Sequence, residues 1–76
     1  MVKRNLSEAL GRVIARLRKQ RGLSQEEFAW SIGSGQKYLS DVENGKRHVS
    51  LLFANKVADG FGISLVELFD FIEEER

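Results

Sequence analysis

Apolar side chains recur along this chain every three or four residues, and the runs are broken by glycines rather than prolines. Leu6, Leu10, Val13, Ile14 and Leu17 follow i, i+4, i+7, i+8, i+11, the spacing that aligns side chains on one side of an α-helix, here over about 6–21. Asn5 with Glu8, or Ser7 alone, can cap its start, and Gly22 ends it. Ser24 and Glu27 stand at the spacing at which each side chain accepts from the other's backbone N–H. A second helix is therefore expected over 25–32, with Leu23 packing at its start and Phe28, Ala29 and Ile32 inward. Gly33 suits the left-handed conformation that closes a helix. In a third helix over 36–44, about 100° per residue gathers Tyr38, Leu39 and Val42 on one side. Gln36, Lys37, Ser40, Asp41 and Asn44 share the other. Ser50 can cap a fourth helix over 51–61, with Phe53, Ala54, Val57, Ala58 and Phe61 inward and Gly62 at its end. Ser64 and Glu67 repeat the reciprocal cap before a fifth, over 65–75, striped by Leu65, Leu68, Phe69 and Ile72, which leaves Val66 and Phe71 off the stripe. The pattern is all-α, five helices in one domain over 1–76. Its core is expected to hold Leu10, Ile14, Leu17, Phe28, Ala29, Ile32, Leu39, Val42, Val57 and Leu68.

Composition narrows this picture in three ways. At 76 residues a single core is only just sufficient, so no separate sensory domain is expected. Without cysteine there is no disulfide scaffold, and without a long apolar run or a signal-peptide pattern neither a membrane partner nor export is expected; the expected location is cytoplasmic. Net charge is only +1, but its distribution is uneven. Residues 1–21 carry seven Lys/Arg and one Glu, and residues 61–76 carry five Asp/Glu and one Arg. That predicts a basic surface at one end, with Met1–Arg4 as a short basic arm, and an acidic, frayed tail held away from any polyanion. Arg12, Arg16 and Lys19, opposite the first stripe, are expected in water; the plainer reading of these charges is ordinary solvated helix faces. His48 is the only histidine, so no metal site is expected. No nucleophile–base set and no phosphate-cradling glycine loop is visible either. Neither an enzyme, a cofactor nor a small-molecule ligand is expected.

The segment 25–44 is a capped helix, a glycine turn and a helix with one polar face, a helix-turn-helix. Its outward residues suit base edges: Gln can bond adenine through two atoms, Lys can donate to guanine, and Ser reaches either. Asp41 is the odd member. A carboxylate there meets phosphate repulsion unless it accepts from a cytosine amino group or pairs with Lys37. Any surface helix has a polar face, and it is the capped helix and glycine turn before it that favour DNA.

The segments LRKQRGLSQEEFA at Leu17–Ala29, Gly33 in the turn and YLSDVENGKR at Tyr38–Arg47 resemble the Cro- and phage-repressor-like (XRE-type) helix-turn-helix family, over about Leu10 to Phe69. The chain departs from the family pattern at Ser34, where a hydrophobe is usual, and at Trp30, where a polar residue is usual. The resemblance implies a lambda-repressor-like five-helix DNA-binding domain. It also implies a backbone-phosphate contact at Gln25, which exposed N–H groups and the positive helix end support, and further backbone contacts at Asn44, Lys46 and Arg47 around the Asn44-Gly45 turn. With Ser34, Gln36, Lys37, Ser40 and Asp41 these make up the expected DNA-binding set. The family further implies an ion pair between Arg18 and Glu43 that fastens the first helix to the reading helix. Phage repressors, controllers of restriction–modification genes and antitoxin-like regulators are all small members.

The function expected is a sequence-specific regulator of transcription bound to double-stranded operator DNA. One reading helix offers about five outward side chains, too few to single out a genomic site. Two copies reading half-sites roughly 34 Å apart are therefore expected, a homodimer on a palindrome. Its interface must lie away from Gln36–Asn44, and surplus apolar residues Val66 and Phe71 on the fifth helix place it there. The alternative is a protein-interaction module, antitoxin-like, that keeps the fold with weak or no DNA reading. Trp30, Asp41 and the low net charge lean toward it; Gln25, Gln36, Lys37, Asn44, Lys46 and Arg47 lean against it.

Overall fold

In the computed structural model, which describes residues 5–76, the expected elements form with bounds differing by a residue at most. The basic arm Met1–Arg4 lies outside the described residues. Five helices run in order: α1 (Leu6–Gln20), α2 (Gln25–Ser31), α3 (Gln36–Glu43), α4 (Leu51–Phe61) and α5 (Leu65–Glu75); the described residues contain no strand. The caps explain where they begin. Asn5 accepts from the Ser7 N–H at 2.7 Å and starts α1. Ser24–Glu27 and Ser64–Glu67 form complete reciprocal caps on α2 and α5, and Ser50 caps α4. The Ser24 backbone N–H donates to Glu27, which holds that carboxyl below the usual range.

α1 lies against α3, α5 and α4, α2 packs on α3, and α4 on α5. All ten expected core residues are buried, joined by Ala9, Val13, Ala54, Ala58, Phe61 and Ile72. Phe28 of α2 stacks on Phe61 of α4, ring centroids 4.2 Å apart. Gly60 makes room for that contact: a Cβ there would stand 2.5 Å from the Ile32 Cγ2 and 3.0 Å from the Phe28 ring. A second glycine sets a closer approach. A Cβ on Gly11, inside α1, would stand 2.5 Å from the Val42 carbonyl oxygen and 2.6 Å from that of Glu43. The backbone of α1 therefore rests directly on the end of α3.

The structure corrects the expected stripes at both ends of the chain. Leu6 is 56% exposed and lies on the wall of an open groove with Leu10, Leu51 and Ile72 rather than in the core. On α5, Phe69 is 40% exposed while Phe71 is half-buried against the core, with the Arg16 guanidinium 6.0 Å from its ring centroid. Leu68 and Ile72 define the buried line, and Phe69 and Phe71 flank it about equally at 100° per residue; packing against α1 selects Phe71. The acidic end is likewise not frayed. α5 continues to Glu75, whose carboxylate accepts from Arg12 at 3.0 Å and Arg16 at 2.7 Å. The Arg12 hydrogen bond, helped by Arg16 and opposed by partial burial, holds Glu75 below the usual carboxylate range.

Candidate nucleic-acid interface

The geometry of the α2–α3 unit starts at the turn. Ile32 ends α2, and Gly33 takes φ +69°, a left-handed conformation that side chains with a Cβ rarely adopt. The Gly33 and Ser34 N–H groups then bond back to the Trp30 and Ala29 carbonyls at 3.2 and 2.8 Å, which satisfies the last turn of the helix. Ser34 is half-buried and its hydroxyl donates to the Gly35 carbonyl at 3.2 Å, so the turn closes through polar contacts where an apolar contact is usual. α3 starts at Gly35 without a side-chain cap.

Leu39 and Val42 are fully enclosed, which fixes the rotation of α3 and turns the opposite face outward. Gln36 and Lys37 are exposed, Ser40 and Asp41 half-buried, and Asn44 exposed. No side-chain hydrogen bond or ion pair within the described residues engages Gln36, Lys37 or Lys46. Asn44 donates through its amide to the Ser40 carbonyl at 3.0 Å. Asp41 does not pair with Lys37. Its carboxylate stands 3.4 Å from the Arg47 guanidinium, which also lies over the Tyr38 ring at 5.3 Å. The reason is the turn after α3. Gly45 adopts φ +74° and the Lys46 N–H bonds the Asp41 carbonyl at 2.9 Å, so the chain doubles back.

Behind this face a single carboxylate gathers three helices. Glu43 accepts from Arg18 Nε at 2.8 Å and Nη2 at 3.0 Å, and from the Gln25 amide at 2.9 Å. The remaining Arg18 nitrogen donates to the Leu23 carbonyl at 2.8 Å. The two charged side chains are only 10% and 5% exposed, and no buried side-chain polar atom in the described residues lacks a partner. Hydrogen bonding to Glu43 raises the Arg18 pKa further, against the lowering effect of burial. Gln25, at the first turn of α2, is thus held toward Glu43 rather than projecting freely.

The structure therefore brings Gln36, Lys37, Ser40, Asp41, Asn44, Lys46 and Arg47 to α3 and the turn after it. Gln25 and Ser34 stand at the start of α2 and in the turn before α3. Sequence reasoning passed over Gly11, although a glycine inside a helix costs about 1 kcal/mol against alanine and is a signal of close packing. It also passed over the Gln25–Glu43 contact and the contact between Ser7 and His48, whose ring Nδ1 lies 3.1 Å from the Ser7 hydroxyl.

A helix-turn-helix family model matches residues 14–68, and the chain belongs to that family. The control protein C.MunI of a Mycoplasma species is 48% identical over 66 residues, covering 86% of this chain and 89% of its own. Among solved structures, the restriction-modification controller protein C.AhdI from Aeromonas hydrophila is 38% identical, covers 83% of this chain and 96% of its own, and superposes with a TM-score of 0.78. The restriction-modification controller protein C.Esp1396I, as a tetramer with its natural 35 base-pair operator, has a TM-score of 0.86. At 23% identity, with 96% of both chains covered, it speaks for the fold alone.

Proposed function

We propose that this protein is a sequence-specific, double-stranded-DNA-binding regulator of transcription that places α3 in the major groove of a palindromic operator. One observation carries the reading. The inner side of α3 is fastened by Leu39, Val42 and Glu43, while no side-chain hydrogen bond or ion pair among the described residues engages Gln36 or Lys37 on its outer side. A surface whose polar groups are presented but unspent is what base recognition needs. The similarity to control proteins and restriction-modification controllers supports it.

The roles separate by chemistry. Gln36 and Lys37, with Ser40 and Asp41, face base edges; Gln25, Ser34, Asn44, Lys46 and Arg47 hold the backbone. On an operator selected from random duplexes, Gln36→Ala or Lys37→Ala should cost roughly 1–3 kcal/mol of affinity and much less on random DNA. Gln25→Ala or Asn44→Ala should weaken both targets alike, since phosphates carry little sequence information. Equal losses everywhere would contradict the assignment.

The reading requires a second copy, and the exposed apolar residues suggest its seat. Val66 is exposed, and Phe69, one turn further along α5, is its neighbour. Phe69 borders a groove of about 530 Å³ that Leu6, Leu10, Leu51, Ala54 and Ile72 also line. The proposed dimer face joins Val66 to this groove; Phe71, packed beneath Arg16, serves the fold first. Leu51→Glu with Val66→Glu should leave a folded monomer in sedimentation, because a carboxylate buried without a partner is costly. A dimer that survived the pair of changes would move the interface elsewhere.

Protein recognition is a second use that Trp30 favours, being 85% exposed on α2. Salt separates the two: DNA affinity falls steeply as salt rises, through counterion release.

A further inference from the structure

The one acid on the outward face of α3 is also the one member of that face that is ion-paired among the described residues. Asp41 is half-buried, 21% exposed, and its partner Arg47 is 52% exposed. The Arg47 guanidinium rests between the Asp41 carboxylate and the face of Tyr38, whose ring in turn meets Phe53 edge-on at 5.1 Å. The turn at Gly45 and the Lys46 N–H bond to Asp41 deliver Arg47 to that place. Arg47 is thus a cation on the proposed DNA-facing surface that the free protein already occupies.

Every duplex offers Arg47 a phosphate. Taking it means leaving Asp41, and an unpaired carboxylate then faces a polyanion. On most sequences those two effects oppose each other. Where a cytosine amino group lies opposite Asp41, the carboxylate regains a donor and Arg47 is released without that penalty. We propose that Asp41 is a specificity-determining residue, which withholds Arg47 from DNA unless a base replaces Arg47 on its carboxylate. It acts by disfavouring wrong sequences rather than by adding affinity for the right one. The proposal rests on the DNA-reading function proposed above, and it assigns to Asp41 a role that its identity as a surface acid would not.

The test compares wild type, Asp41→Asn, Arg47→Ala and the double variant on a random-sequence duplex and on the selected operator, across a salt series. Asp41→Asn should bind random DNA about two- to fivefold tighter, the range an exposed ion pair allows. Its plot of log affinity against log salt should steepen by roughly 0.9, one additional phosphate neutralised. Discrimination between operator and random DNA should fall, and operator selection should lose a cytosine preference at one position of each half-site. In the Arg47→Ala background the same substitution should change random-DNA affinity by less than about twofold, because its partner is gone. An equal gain in that background would overturn the proposal, leaving only the removal of a negative charge from the surface; so would an unchanged affinity for random DNA. Wild-type protein that bound no duplex at any salt would overturn the DNA-reading function itself, and this role with it. Operator binding by the wild type, with discrimination unchanged in Asp41→Asn, would remove this role alone. Asp41→Ala should match Asp41→Asn on random DNA.

Discussion

α1 is tied to the rest of the molecule by arginine–glutamate contacts on two flanks, and the two ties are built differently. Toward α3, Arg18 meets Glu43 through two nitrogens at 2.8 and 3.0 Å, nearly out of water, with Gly11 letting the backbones touch. Toward α5, Arg12 and Arg16 share Glu75 at 3.0 and 2.7 Å, but both arginines remain more than 40% exposed. The shorter distance sits on the weaker tie. In water, charges at contact gain little over their hydration and are screened by salt. A buried pair must keep its partner, since a lone charge left inside is far costlier than either state outside. Distance therefore ranks these contacts poorly, and burial ranks them well. The buried tie positions the proposed reading helix; the exposed one fastens the far end of the chain.

The largest test of that contrast is Glu43→Ala. Arg18 would keep its place without its carboxylate, and the loss should be about 3 kcal/mol, read as a shifted urea midpoint. Glu43→Gln should recover part of it by preserving the acceptor and the Gln25 contact. A Glu43→Ala protein as stable as wild type would erase the distinction between the flanks. Gly11→Ala comes next. The added methyl meets backbone carbonyls that cannot swing aside, and overpacking of this kind costs up to about 3 kcal/mol. Better helix propensity returns about 1 kcal/mol, so a net loss near 2 kcal/mol is expected, with looser attachment of α3 visible as faster amide exchange at Leu39 and Val42.

Glu75→Gln should have the smallest effect and the most condition-dependent one. Because Arg12 and Arg16 hold the Glu75 pKa low in the folded chain, its contribution is present above the unfolded value of about 4.3. It is lost as pH falls through the lowered folded value. Thermal melts of variant and wild type should therefore differ near neutral pH, converge in acid, and converge again near 1 M salt, where screening acts within about 3 Å. A difference that persisted in both conditions would show that the exposed tie behaves like the buried one.

The helices and the core were legible because they are local or periodic. A cap such as Ser24 with Glu27 spans three residues, and the lines of Leu10, Ile14 and Leu17 or Leu39 and Val42 need only the helical repeat. The contents of the outward face of α3 were legible for the same reason. The partners of that face were not. Asp41 takes Arg47 rather than Lys37 because a left-handed turn at Gly45 folds the chain back, and the spacing rule for one helix does not reach across a turn. The choice of Phe71 over Phe69 depends on where α1 crosses α5, and the capture of Glu75 by Arg12 and Arg16 joins residues about sixty apart in sequence. Gly11 was visible as a glycine in a helix, but its neighbour across the gap was not.

Gln36 and Lys37 carry none of the hydrogen bonds that hold α3 in place; those belong to Glu43 and its arginine, behind the helix. Structural necessity and the proposed molecular address thus fall on different residues of the same eight-residue segment. If those outward positions read bases as proposed, substitutions there would redirect such a protein to another site at little risk to folding. A lineage built this way can diversify its targets by single steps, each of them viable.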